Sequence, residues 1–166
     1  MEQLPGRPGA TLSFVHTSTA DHATLTVNGG TNGGGGGAIF FFDDSLGGRA
    51  KITLSGNGTL DLSSHKVSGI TIGGLRGDGL VSLGASTLTV NNKPNSTFGG
   101  LISGSGALIQ GAQGILDLTN PNTYGGGTSF ATAHCGSVTP PARPLVAALF
   151  SLSRVHSAGT GASPAQ

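Results

Sequence analysis

Few residues in this chain carry groups that could do chemistry. It has seven acidic residues, five histidines and a single cysteine in 166 positions. Acid and base catalysis on a glycosidic bond needs two carboxylates converging on one groove, and Asp43-Asp44 is the sole adjacent acidic pair. Its plainer reading is a solvated strand end following Phe42. Ser129 lies in the small-residue run from Gly127 to His134, where a hydroxyl could reach a carbonyl carbon. A serine nucleophile also requires a histidine and a carboxylate to deprotonate and orient it, and Gly127 and Thr128 are already claimed by a strand repeat described below. The histidines at 16, 22, 65, 134 and 156 show no H-E-x-x-H or comparable ligand spacing, which predicts surface positions rather than metal sites. Cys135 stands alone, excluding an internal disulfide framework and a multi-cysteine zinc site.

Glycine motifs point to shape rather than ligands. Gly73-Gly74-Leu75-Arg76-Gly77-Asp78 lacks the middle glycine of a calcium-binding nonapeptide and occurs once, so corner-forming glycines are expected there. Gly33 to Gly37 lacks the G-K-[ST] ending that would place a lysine on phosphate, which predicts a turn or lateral loop. Asn57-Gly58-Thr59 and Asn95-Ser96-Thr97 fit the glycosylation sequon and are expected to serve turn chemistry. No residue is assigned a catalytic, cofactor-binding or metal-binding role, no cofactor is expected, and the chain is read as non-enzymatic.

The elements behind these residues follow from composition and period. The chain has 31 glycines, 9% charged residues, formal net charge +1 and mean hydropathy +0.10. Disordered chains combine low hydrophobicity with high net charge, so this one is predicted to bury a core. Its Lys and Arg are scattered singly, which argues against a nucleic-acid partner, and no apolar run approaches the roughly 20 residues of a membrane helix. A short Pro/Gly lead over 1–12 is expected to be disordered. From 13 to 130, apolar residues alternate with Thr, Ser or Asp in short bursts such as Thr24-Leu25-Thr26-Val27, Leu60-Asp61-Leu62 and Leu88-Thr89-Val90. Period two predicts strands with one buried face, and Gly and Asn clusters between them supply turns. Phe40-Phe41-Phe42 is expected to fill the bulkiest part of the interior.

Self-similarity orders the strands. Gly58-Thr59-Leu60-Asp61-Leu62-Ser63 recurs 28 residues later at Ser86 to Asn91 and again at Gly114 to Thr119, and a shift of 27 aligns Phe14 through Asn28 with Phe41 through Ser55. A fixed period of this size predicts a solenoid of roughly four coils at about 4.8 Å spacing. The alternative is an antiparallel sandwich or meander, because Asn-Gly pairs also serve type I′ hairpins.

The second half of the body resembles the autotransporter-associated β-strand repeat of Gram-negative passenger domains. Phe98-Gly99-Gly100-Leu101-Ile102-Ser103-Gly104-Ser105-Gly106-Ala107-Leu108, then Gly114-Ile115-Leu116-Asp117-Leu118, then Asn122-Thr123-Tyr124-Gly125-Gly126-Gly127-Thr128 match that family's F-x-G-x-I-x-G-x-G-x-L, G-x-L-x-L and N-T-Y-x-G-x-T pattern. The resemblance covers residues 13–129 and implies a right-handed parallel β-helix displayed outside the cell, structural or adhesive in role. The chain departs from the pattern at Gln110, where Lys is usual, at Ala112, where Gly is usual, and at Gly47-Gly48-Arg49. Neither a secretion signal nor a membrane barrel is visible, so export of this chain by itself is not expected. Partners implied are a host surface or other copies meeting exposed strand edges, with no membrane insertion by this segment.

Two enzyme resemblances are weaker. Gly127 to His134 is similar to the serine-nucleophile segment of subtilisin-like proteases, but Ala133 stands where that family has Pro, and its D-T-G and H-G-T segments are missing. A carbohydrate-active β-helix enzyme is the alternative function, and the N-T-D, G-H-G and R-I-K segments of such hydrolases are missing too. The tail 131–166 carries no repeat; it is expected to be disordered or to form a short helix over 145–155, and a sequence foreign to the repeat. A non-functional remnant of a broken gene is the third reading.

Overall fold

The computed structural model describes residues 7–67, 69–91, 95–111 and 114–131. The expected helix over 145–155, Cys135, His134, His156 and Ala112 lie outside the described residues. Fourteen strands occur in the described part: β1 Thr11–Phe14, β2 Thr24–Val27, β3 Ala38–Phe41, β4 Lys51–Leu54, β5 Thr59–Asp61, β6 Gly69–Ile72, β7 Gly74–Gly77, β8 Leu80–Ser82, β9 Thr87–Val90, β10 Ser96–Phe98, β11 Leu101–Ser103, β12 Leu108–Gln110, β13 Leu116–Leu118 and β14 Thr128–Phe130. β1 begins at Thr11, inside the stretch expected to be disordered, and the Ala10 carbonyl already accepts from Ala38 N–H at 2.9 Å.

The strands form three sheets. Sheet one runs β1-β3-β5-β8-β11, sheet two β13-β10-β7-β4-β2 and sheet three β14-β12-β9-β6. Every strand pair is parallel, which replaces the hairpin alternative with a solenoid. β1 to β5 alternate between sheets one and two, and from β5 onward the chain visits sheet one, then three, then two, and returns one coil further on, as in β8, β9, β10 and β11. Four complete turns separate β1 from β11 on sheet one, and a further turn and one face lead to β14, which stacks on β12.

Alternation puts the apolar residue of each burst inside. Leu12, Ile39, Leu60, Val81 and Ile102 are successive register partners on sheet one, and the last four are almost wholly buried. Burying each such side chain contributes about 1.5–3 kcal/mol, and because every coil rests only on its neighbours the core is a column rather than a ball. Phe14 and Phe41 extend it with stacked rings 4.6 Å apart.

The 27-residue shift read from the sequence is the observed register of the first two coils, with Phe14 opposite Phe41 and Val27 opposite Leu54. The 28-residue recurrence is not a stacking register. β5, β9 and β13, which carry its three copies, lie on sheets one, three and two. From β3 onward one turn on sheet one takes 21 residues, Ala38 to Thr59 to Leu80 to Leu101. A step of 28 is therefore one turn plus one face, and the motif describes a strand and its corner, not a coil.

Period two also corrects the phenylalanine run. Only Phe41 is inside; Phe40 and Phe42 project outward and stack on each other with centroids 5.6 Å apart. Three consecutive residues of a strand cannot share one face.

Corners between sheets two and one are built from glycine because the coils touch there. A Cβ at Gly79 would lie 2.5 Å from the Gly58 carbonyl oxygen, and one at Gly100 1.9 Å from that of Gly79. Side-chain amides and a carboxylate complete the ladder where backbone pairing lapses. Asn57 Oδ1 accepts from Gly30 N–H at 2.7 Å, Asp78 Oδ1 from Gly56 N–H at 2.9 Å, Asn95 Oδ1 from Ile115 N–H at 2.9 Å and Asn122 Oδ1 from Ile102 N–H at 2.7 Å. Each bond joins one coil to the next.

Candidate functional site

The scaffold disperses the residues singled out for chemistry. Asp43 has a left-handed backbone, φ 53°, and its carboxylate takes the Lys66 ammonium at 2.6 Å and the His16 backbone N–H at 3.2 Å, with His16 Nδ1 at 3.4 Å. The hydrogen bond from Lys66 is the main reason the Asp43 carboxyl sits below its ordinary range. The same bond holds the Lys66 ammonium above its own. Three other carboxylates sit in turns or beside a neighbour: Asp61 accepts from Ser63 N–H at 2.8 Å, Asp78 from Gly56, and Asp21 lies 2.8 Å from His22 Nδ1. Among the described residues no three His, Cys, Asp or Glu converge as metal ligands.

Histidine placement departs from expectation at one position. His16 and His22 are exposed, whereas His65 is only 8% exposed. Its Nε2 lies 2.8 Å from the Ser45 carbonyl oxygen and its Nδ1 3.0 Å from that of Val67, so the ring pins one coil to the next. A lone histidine between turn residues gives no period that would mark it as buried.

Ser129 is the exposed middle residue of β14, opposite Ile109 of β12. The end of its motif lies outside the described residues. Gly74–Gly77, expected as a corner, is strand β7 paired with β4. Both sequon asparagines spend their side chains on cross-coil bonds. Asn57 uses both ends of its amide, donating Nδ2–H to the Gly34 carbonyl at 3.2 Å and so anchoring the glycine loop over 28–37. Asn122 and Tyr124 of the Asn-Thr-Tyr motif are buried, and Tyr124 shares a hydrogen bond with Thr128 while burial pushes its hydroxyl pKa up.

The outward sides of the three sheets differ in chemistry. On sheet two the outward column contains Thr26, Thr53, Arg76, Thr97 and Asp117, with a shallow groove of about 390 Å³ edged by Arg76, Asn95 and Asp117. Thr71, Thr89, Ile109 and Ser129 form that of sheet three. Sheet one carries two outward apolar pairs among polar neighbours. Phe40 lies between Ser13 and Asp61 in the ladder, with Phe42 stacked beside it, and two turns further on Leu80 and Leu101 are register partners, 39% and 37% exposed. Clustered outward apolar side chains rimmed by polar groups are the mark of an interaction surface. Sequence reading missed this face because an outward phenylalanine looks like a core residue until strand parity is fixed. No protein-family model, no curated protein and no solved structure matches this chain.

Proposed function

We propose that this chain is a segment of a non-catalytic β-helical stalk of the autotransporter-passenger type, displayed outside the cell. Its adhesive contacts, with a host surface or with neighbouring copies, run through the outward side of sheet one. The observation that carries the reading is the pairing of Phe40 with Phe42 and of Leu80 with Leu101 on that one face, while the outward columns of the other two sheets are threonine, serine and charged groups apart from Ile109. Supporting it, a column stabilised coil by coil makes a rigid spacer, and the side chains that could serve acid and base chemistry are bound into turns.

The test is display on a non-adherent bacterium through an unrelated membrane anchor, scored by attachment to epithelial cells and by settling of the culture. The parent chain is expected to confer one or both. Phe40→Ser with Phe42→Ser, or Leu80→Ser with Leu101→Ser, should abolish the gain at equal surface display. A parent that adheres to nothing, or variants that adhere as the parent does, would defeat the proposal.

A further inference from the structure

The chain contains three Asn-Gly pairs, Asn28-Gly29, Asn32-Gly33 and Asn57-Gly58. In such a pair the glycine nitrogen can attack the asparagine side-chain carbonyl, since no Cβ shields the approach and the backbone can rotate to reach it. The fold treats the three differently.

Asn57 is locked. Its Oδ1 and Nδ2 are both hydrogen-bonded, and the Gly58 N–H is committed to the Ser55 carbonyl at 2.9 Å. A Cβ at Gly58 would lie 2.8 Å from the Val27 carbonyl oxygen, so the backbone has no room to turn. Asn28 is held by its carbonyl, which accepts from Gly37 N–H at 3.0 Å, and Gly29 packs 2.9 to 3.0 Å, measured from the same hypothetical Cβ, against Asn57 and Ser55.

Asn32 is the opposite case. It is exposed, sits at φ 53° and is followed by Gly33 at φ 77°, and a Cβ at Gly33 would meet nothing within 4 Å. The Gly34 N–H closes this turn on the Thr31 carbonyl at 2.9 Å, and the open space around Gly33 leaves its nitrogen room to approach the Asn32 side chain.

We propose that Asn32-Gly33 is a self-modification site, at which the folded chain converts Asn32 to aspartyl and isoaspartyl forms. The Gly33 nitrogen bonds to Asn32 Cγ, the Cγ–Nδ2 bond breaks, and the proton lost by the Gly33 nitrogen leaves with Nδ2 as ammonia. Water then adds to either carbonyl of the cyclic imide, and the ring C–N bond at that carbonyl opens. One opening gives aspartate at 32; the other routes the main chain through the side chain and lengthens it by one methylene. Either product adds a carboxylate, taking the formal net charge from +1 to 0. The loop is tied down at Gly30 and Gly34 by Asn57, so the change is confined to its tip.

The experiment ages the full chain in mildly alkaline buffer, folded and in denaturant, and follows each Asn-Gly pair by peptide mass spectrometry and isoaspartyl-specific methylation. In the folded chain Asn32 is expected to convert first while Asn28 and Asn57 stay intact; in denaturant all three should convert at comparable rates. Asn32→Gly, which suits the left-handed backbone, should remove the early acidic species seen on anion exchange. Conversion of Asn57 or Asn28 as fast as Asn32 in the folded chain, or an intact Asn32 once its denatured counterpart is consumed, would overturn the proposal.

Discussion

Replacing Gly100 by alanine tests whether coil contact, rather than backbone conformation, dictates the corner glycines. Gly100 does not have the left-handed backbone of Gly77 or Gly104, so conformation alone would tolerate alanine. At an unstrained site Gly→Ala usually stabilises by about 0.4–1 kcal/mol through the unfolded chain. Here the new methyl would stand 1.9 Å from the Gly79 carbonyl oxygen and 2.6 Å from Phe98 Cζ. That oxygen already accepts the Leu101 N–H at 3.1 Å. Relief requires the two coils to part by roughly 1 Å, against the ordinary strand spacing of about 4.8 Å, which sacrifices the hydrogen bond and strains the ring of Phe98. A lost bond of about 1 kcal/mol and overpacking of about 1–3 kcal/mol together predict a destabilisation of about 2–4 kcal/mol. Urea unfolding followed by far-ultraviolet circular dichroism measures it, since the chain has no tryptophan. Gly33→Ala is the control: its methyl meets nothing within 4 Å but must adopt φ near 77°, a conformational cost of about 1–2 kcal/mol. If Gly100→Ala proves as stable as the parent, or milder than Gly33→Ala, the reasoning from coil contact is wrong.

Strand parity predicts that Phe41→Ala costs about 3–5 kcal/mol, as for a fully buried phenylalanine, whereas the outward Phe40→Ala costs under half of that; equal losses in urea unfolding would contradict the inside-outside assignment. Acid sensitivity should trace in part to Asp43. Its carboxyl is held below the usual value of 3.8 by Lys66, so its stabilisation is complete above that pH and is lost as pH falls through the folded-state value. Asp43→Asn should therefore be less stable than the parent at neutral pH and show a shallower acid limb in a thermal-melt series. Superimposable pH profiles for parent and variant would count against the ion pair.

The fold was legible because burial writes itself as alternation. Leu60-Asp61-Leu62 needs no neighbour to declare one face wet and one dry, and the shift of 27 survived because β2 follows β1 at the same spacing as β4 follows β3, Thr11 to Thr24 and Ala38 to Lys51. What could not be read was which strand lies on which. Similar strands on all three sheets, β5, β9 and β13, made a recurrence that looked like a turn of the solenoid. The candidate surface was hidden for a related reason: whether Phe40 faces in or out depends on a parity fixed by Ile39 and Phe41 together, and a run of three phenylalanines blurs it. The cross-coil amides of Asn57, Asn95 and Asn122 were invisible as such, because a bond reaching 20 or 27 residues along the chain uses the same residue type that closes a local turn.

The offset between motif and turn has a geometric outcome for anything that touches this molecule. Each 28-residue step rotates the pattern by a third of a revolution as it climbs, so Asp61, Thr89 and Asp117, the equivalent outward positions, point in three directions. A partner approaching from one side meets a given signature once and must travel around the shaft to find it again, so contacts made through the motif spread over the circumference like the thread of a screw.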